Sequence, residues 1–287
     1  MKMTKILVGA LAAVALVAGL TGCQKEIGDI DWGGTFSSGD GTKDLTVKQT
    51  NESDAIIRGM KMLTLKHTGA NIVVRIYDQN ETSKDGMAGY AWNITSTKND
   101  EGTDLYNFFV LGVRSANGKR EYYLSYFANI AEDKLSAENF GATETKDAYD
   151  ATVTTPYEIV FKTMPTAFTK ALDGEGTLTV VISVSSDADK KIQTVKLMSL
   201  DADDTEQTAS ATLDLAKCSE ITTVAEIDVT KYGLETSDQK MGAYANIYAG
   251  KTLNAKWSYY DVTGSPIPVA GGDISASPVV AGDIEWN

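Results

Sequence analysis

Apolar residues return at every second position through most of this chain, and that period limits what it can fold into more than any other feature. Leu178, Val180, Ile182 and Val184 alternate with Thr177, Thr179, Ser183 and Ser185, the pattern of a strand with one buried face. Ile72, Val74 and Ile76 form the same stripe against Val73, Arg75 and Tyr77. Ala88, Tyr90, Trp92 and Ile94 are expected to share a face, as are Tyr122, Leu124, Tyr126, Ala128 and Ile130. Tyr157, Ile159 and Phe161 make a further stripe, and Tyr244, Asn246 and Tyr248 oppose Ala243, Ala245 and Ile247. Asn117-Gly118 separates two alternating runs and predicts a hairpin with a two-residue turn. Helical signal is confined to a turn or two over 131–140 and 166–172. Strands without intervening helices predict an all-β, antiparallel fold, and Asn/Gly/Asp-rich loops at sandwich spacing favour a β-sandwich over a barrel.

The N-terminus carries a separate message. Lys2 and Lys5 precede an apolar or small run over 6–20, followed by Leu20-Thr21-Gly22-Cys23. A basic start, a short apolar core and small residues before a cleavage point make a secretory signal. The ending resembles the lipobox of bacterial lipoproteins. That resemblance implies acylation of Cys23, cleavage before it, and a mature chain starting at the lipidated residue. An ordinary signal peptide with an incidental cysteine, or a retained membrane helix, is the alternative, but the apolar run falls short of the roughly 20 residues that span a bilayer. Gln24 stands where the Gram-negative sorting rule places Asp in proteins kept at the inner membrane. The location implied is an exported, lipid-anchored protein of the outer membrane or cell surface. The expected organisation is a signal peptide over 1–22, a lipidated flexible tether over 23–44, a β-sandwich over 45–262 and an extended C-terminal segment over 263–287. A flexible tether of that length would reach roughly 25 Å.

Charge removes several partner classes. With 26 basic against 39 acidic residues and a net charge of -13, the chain has no basic block to neutralise phosphates, so nucleic acid is not an expected partner. Membrane attachment is expected to rest on acyl chains at Cys23, of which stable anchoring needs two or more. Cys218 is the other cysteine and His67 the sole histidine. They lie far apart in sequence, so Cys218 is expected to be a buried, inert thiol and His67 a strand-end side chain. Zinc seldom binds through carboxylates alone, and no cofactor is expected.

The order of segments MAGYAWNIT, LYNFFVLGVR, KREYYLSYF, GTLTVVISVSS, KIQTVKLMS and KMGAYANIYAGKTLNAKWSYY resembles the concanavalin A-like jelly roll, shared by lectins, laminin-G-type modules and laminarinase-type glucanases. The resemblance implies fold, not function. Enzymes of that fold carry Glu-x-Asp-x-(x)-Glu on one strand. Here Glu226-Ile227-Asp228-Val229-Thr230-Lys231 offers Glu and Asp but lacks the second Glu that a retaining pair needs, so no catalytic residue is expected. Aspartates at 187 and 189, and at 201, 203 and 204, supply the oxygen chemistry calcium uses, yet acidic loops are ordinarily solvated turns, and no metal site is assigned. The functional material is aromatic: 13 tyrosines and four tryptophans. Alternation sets Tyr123 opposite Tyr122 and Tyr126, and Tyr260 opposite Trp257 and Tyr259. Tyr123 and Tyr260 are therefore expected to be exposed rings and, with Trp257, candidate platforms for stacking on sugars. The expected function is a non-catalytic envelope module binding carbohydrate or a host or matrix glycoprotein. The alternatives are a glycoside hydrolase of the same fold and a structural envelope lipoprotein without a small ligand.

Overall fold

The computed structural model describes residues 25–28, 30, 32–34, 45–52, 54, 57–62, 65–67, 72–78, 86–116, 119–131, 162–163, 178–187, 191–200, 212–234, 240–265 and 284–286. Their strands are β1 (Lys25–Gly28), β2 (Trp32–Gly34), β3 (Leu45–Thr50), β4 (Ile57–Met62), β5 (Leu65–His67), β6 (Ile72–Asp78), β7 (Gly86–Lys98) and β8 (Asp104–Ala116). The chain continues through β9 (Lys119–Ala131), β10 (Lys162–Thr163), β11 (Leu178–Ser186), β12 (Ile192–Leu200), β13 (Cys218–Asp228), β14 (Lys240–Ile247), β15 (Thr252–Asp261) and β16 (Ile284–Trp286). Two seven-stranded sheets result. Sheet A runs β1-β4-β14-β7-β8-β9-β10 and sheet B runs β13-β12-β11-β6-β15-β3-β2, with every pair antiparallel. β14 and β15 return late in the chain to lie between elements laid down early, β14 between β4 and β7 and β15 between β3 and β6. Ala116 pairs with Lys119, so β8 and β9 form the hairpin that the sequence predicts.

The alternation of each strand decides its inner face. Val74 and Ile76 of β6, Val180 and Ile182 of β11, Ala243 and Ala245 of β14, and Trp257 and Tyr259 of β15 join one buried cluster between the sheets. Tyr90 stacks on Trp92 at 5.5 Å between ring centroids and Trp92 on Phe109 at 5.5 Å, offset geometries that add to simple burial.

Two strands switch faces part-way. Ala88, Tyr90 and Trp92 point inward, but Ile94 belongs to a second cluster on the outer face of sheet A. Likewise Leu124, Tyr126 and Ala128 point inward and Ile130 outward. The cause is local: Asn93 and Asn129 have φ of 52° and 56°, and pairing slips beside each, between Trp92 and Thr95 and between Tyr106 and Phe108. A bulge inserts an extra residue and inverts the alternation beyond it, and asparagine tolerates the left-handed conformation this requires.

The first strands correct the expected tether. β1 pairs along β4 on the edge of sheet A, β2 pairs with β3 on the edge of sheet B, and Ile30 between them is buried in the core. Residues 25–34 thus contribute an edge strand to each sheet. At the other end of the chain β16 pairs with β5, setting Ile284 opposite His67. Residues 1–24, the Tyr157 to Phe161 stripe, and the helical turns expected over 132–140 and 166–172 lie outside the described residues.

Candidate functional site

The aromatic candidates do not converge on one surface. Tyr123 sits on the outer face of sheet A, Tyr260 on the outer face of sheet B, and Trp257 between the sheets. Their relative exposures are 1%, 0% and 0%, so the expectation of exposed rings at Tyr123 and Tyr260 is overturned. The faces themselves explain this. Met60, Met87, Ala91, Phe108, Val110 and Phe127 surround Tyr123 in a buried outer cluster, and Val73, Val181, Met198 and Leu213 do the same around Tyr260. Tyr123 lies directly over its cross-strand partner Gly112, where an added Cβ would come within 2.1 Å of the ring; only glycine leaves that space. Trp257 Nε1 donates to the Gly89 carbonyl at 2.8 Å, joining β15 of sheet B to β7 of sheet A. None of these rings is placed to stack on a saccharide.

The carboxylates remain separate turns. Glu226 is an exposed residue of β13 opposite Thr194. Asp228 Oδ1 accepts from the Thr230 hydroxyl at 2.6 Å and amide at 3.1 Å, and the hydroxyl hydrogen bond is the main reason its pKa lies below the usual value. Asp187 Oδ1 accepts from the Lys191 amide at 2.8 Å. Asp261 accepts from the amides of Thr263 and Ser265 and from the Thr263 hydroxyl. Among the described residues no group of three potential ligands is placed to hold a metal; Asp189, Asp201, Asp203 and Asp204 lie outside them. Cys218 is buried and forms no disulfide among the described residues. His67 ends β5, as a strand-end residue should. Burial raises the Tyr90 and Tyr259 phenols well above 10, and burial with the neighbouring Tyr232 raises Tyr126 to about 12, so all three hydroxyls are neutral at ordinary pH.

Two buried polar groups escape a reading based on residue spacing. The first is an inter-sheet amide clasp. Asn93 Nδ2 donates to Gln193 Oε1 at 2.7 Å, Gln193 Nε2 donates back to Asn93 Oδ1 at 3.2 Å, and Trp92 Nε1 donates to the same Gln193 oxygen at 3.1 Å. Its sequence signal is faint: a glutamine on the apolar face of a strand and an asparagine after a tryptophan.

The second is Arg75, on the outer face of β6 and only 4% exposed. Its Nη2 donates to Ser258 Oγ at 3.4 Å and its guanidinium lies 5.9 Å from the centre of the Tyr260 ring. Among the described residues Nη1 has no hydrogen-bond partner. A buried charge in this setting carries a desolvation penalty that one long hydrogen bond and a ring face do not offset. Arg75→Met, which keeps the volume and removes the charge, is therefore expected to raise stability by about 1–4 kcal/mol. Urea unfolding of the two proteins checks this, and an equal or lower stability for the methionine variant would show that Nη1 is satisfied in solution.

A scan against protein-family models finds none that matches this chain, and a search of curated proteins finds no match either.

Proposed function

We propose that this chain is an exported, lipid-anchored cell-envelope protein, held in the outer membrane or at the cell surface by acyl chains on Cys23, and that its β domain is a non-catalytic structural or protein-binding module. The anchor is supported by Lys2 and Lys5, the apolar run and Leu20-Thr21-Gly22-Cys23. A concanavalin-like jelly roll is the finer fold we propose; the nested return of β14 and β15 into the two sheets supports it.

The observation that carries the choice of module is the burial of the rings. Tyr123, Tyr260 and Trp257 are all buried, which withdraws the flat apolar surface a lectin offers to sugars. A carbohydrate or glycoprotein ligand is thus the second reading, and a hydrolase of the same fold the third. Nucleic acid is not a partner we propose, given the chain's net charge of -13.

Metabolic labelling with an alkyne-bearing palmitate in a Gram-negative host tests the anchor. Label is expected in the wild-type chain and absent from Cys23→Ala, which should accumulate at the precursor mass. Label that persists in the variant would refute the assignment of Cys23. A polysaccharide panel read for both binding and released reducing ends tests the module: silence is expected, saturable binding would restore the lectin reading and release would establish the hydrolase.

A further inference from the structure

We propose that Tyr126 and Tyr232 are an oxidative cross-linking site, at which a one-electron oxidant joins the two phenol rings by a carbon–carbon bond and so ties sheet A to sheet B. Tyr126 lies on β9 of sheet A, with its ring in the inter-sheet core. Tyr232 ends the 3₁₀ turn Val229–Tyr232 that follows β13 of sheet B. The ring centroids are 4.5 Å apart and the ring planes meet at 62°. Two benzene rings joined by one single bond stand at nearly this spacing and are twisted relative to each other, so the bond asks for a rotation of side chains and no movement of strands. Burial, and after it the nearby Tyr232 hydroxyl, raise the Tyr126 pKa, which sets the two oxygens close together. The carbons that couple are those ortho to these oxygens.

Both rings are held in place before any chemistry. Asp228 caps the turn by accepting from the Thr230 amide and hydroxyl. The Val229 amide donates to the Lys191 carbonyl at 2.9 Å, and the Leu234 amide donates to the Val229 carbonyl at 3.1 Å. Gly233 leaves the turn at a φ of 65°, which glycine adopts without strain. Phe109 backs the pair, 4.7 Å from Tyr126 and 4.9 Å from Tyr232; having no hydroxyl, it forms no phenoxyl radical. Fixing two reacting groups side by side makes their union a unimolecular step, favoured over coupling to a second protein molecule. Tyr126 is 6% exposed and Tyr232 is half-buried, so the site meets water on the Tyr232 side. Tyr90 and Tyr259 make a contrasting pair, 6.3 Å between centroids and sealed in the core, where an oxidised phenol has no water to take its proton. In the reaction each phenol gives one electron to the oxidant and its hydroxyl proton to water, and the two ortho carbons bond. The hydrogen that each of those carbons carried moves to its own ring's oxygen and restores two phenols. Two electrons and two protons leave for each bond formed. The product constrains the unfolded chain as a disulfide does, in a protein whose Cys218 forms no disulfide among the described residues.

The test uses the full chain at low concentration, with a photoexcited ruthenium tris-bipyridine complex as the one-electron oxidant and persulfate, reduced to two sulfates, as the final acceptor. The expected product is a monomer lighter by two hydrogen atoms, with dityrosine fluorescence and a linked pair of proteolytic peptides, one holding Tyr126 and the other Tyr232. Tyr126→Phe and Tyr232→Phe keep the rings and remove the hydroxyls; each should lower the fluorescence several-fold, whereas Tyr90→Phe should leave it near the wild-type value. Oxidation should also raise the urea midpoint of the wild-type chain and leave that of Tyr126→Phe unmoved. A dityrosine that maps to other residues, or fluorescence undiminished in both variants, would overturn the inference. So would a wild-type chain that yields no cross-linked monomer under illumination that couples free tyrosine. The peptide map is made on the wild-type chain, so that outcome does not depend on how a variant folds.

Discussion

Trp257→Ala is expected to lower the unfolding free energy by about 3–5 kcal/mol, at the upper end of what a single substitution does. The indole is wholly buried at the middle of β15, whose neighbours there are Leu45 of β3 and Ile76 of β6. Truncation removes its apolar area and leaves a cavity between two sheets whose backbones are held by their own ladders and cannot collapse into it. A second loss is independent of volume: the Gly89 carbonyl forfeits the 2.8 Å hydrogen bond from Nε1, and an unsatisfied buried acceptor costs about 1–3 kcal/mol. Trp257→Phe separates the two, because it keeps much of the volume and none of the donor. Chemical denaturation of both variants is the measurement. The phenylalanine variant should fall between wild type and alanine, and a loss below about 1 kcal/mol for alanine would mean that Trp257 is not the inter-sheet pillar its burial implies.

The inward side of that pillar is legible in the sequence, for a reason that does not depend on the fold. Trp257 and Tyr259 alternate with Ser258 and Tyr260, and period two separates the faces of a strand whatever surrounds it. The sides assigned to Tyr122, Tyr123 and Tyr126 hold for the same reason. Alternation ranks the two faces but does not say whether the second face meets water. β7 reads GMAGYAWNI, and its residues from Gly86 to Ile94 are all buried; the runs Phe108–Phe109 and Val110–Leu111 in β8 are buried on both sides as well. Near-continuous apolar strands are the mark of a sheet covered on both faces, and that signal, given its weight, places Tyr123 and Tyr260 inside rather than in water. The edge strands β1 and β2 are illegible for a different reason. Their sequences, KEIG and WGG, are too short for a period to register, and pairing with a neighbour supplies what local propensity does not. The face switches at Ile94 and Ile130 depend on one asparagine each, and an asparagine in a strand announces a bulge only when its backbone angle is known. Arg75 is hidden by the reverse effect, since a long polar side chain in the run IVVRIYD fits a solvated face as well as a covered one.

Gln193→Leu is the second substitution with a large expected effect, about 3–5 kcal/mol of destabilisation from its several orphaned groups, although it replaces a polar core residue with an apolar one of similar size. The usual argument for such swaps holds only when both partners of a hydrogen bond are removed together. Here the leucine leaves the Trp92 indole N–H and both functional groups of the Asn93 amide without their partner, in a site where Asn93 and Gln193 are each 2% exposed. Each orphaned group costs about 1–3 kcal/mol. Asn93 cannot simply be changed to leucine in compensation, because its φ of 52° disfavours a branched side chain. Asn93→Gly tolerates the backbone and removes the amide. The double variant Gln193→Leu/Asn93→Gly should therefore be less destabilised than the sum of its singles, with a coupling of about 1–3 kcal/mol measured by a denaturation cycle; strict additivity would show that the two amides do not act as one clasp.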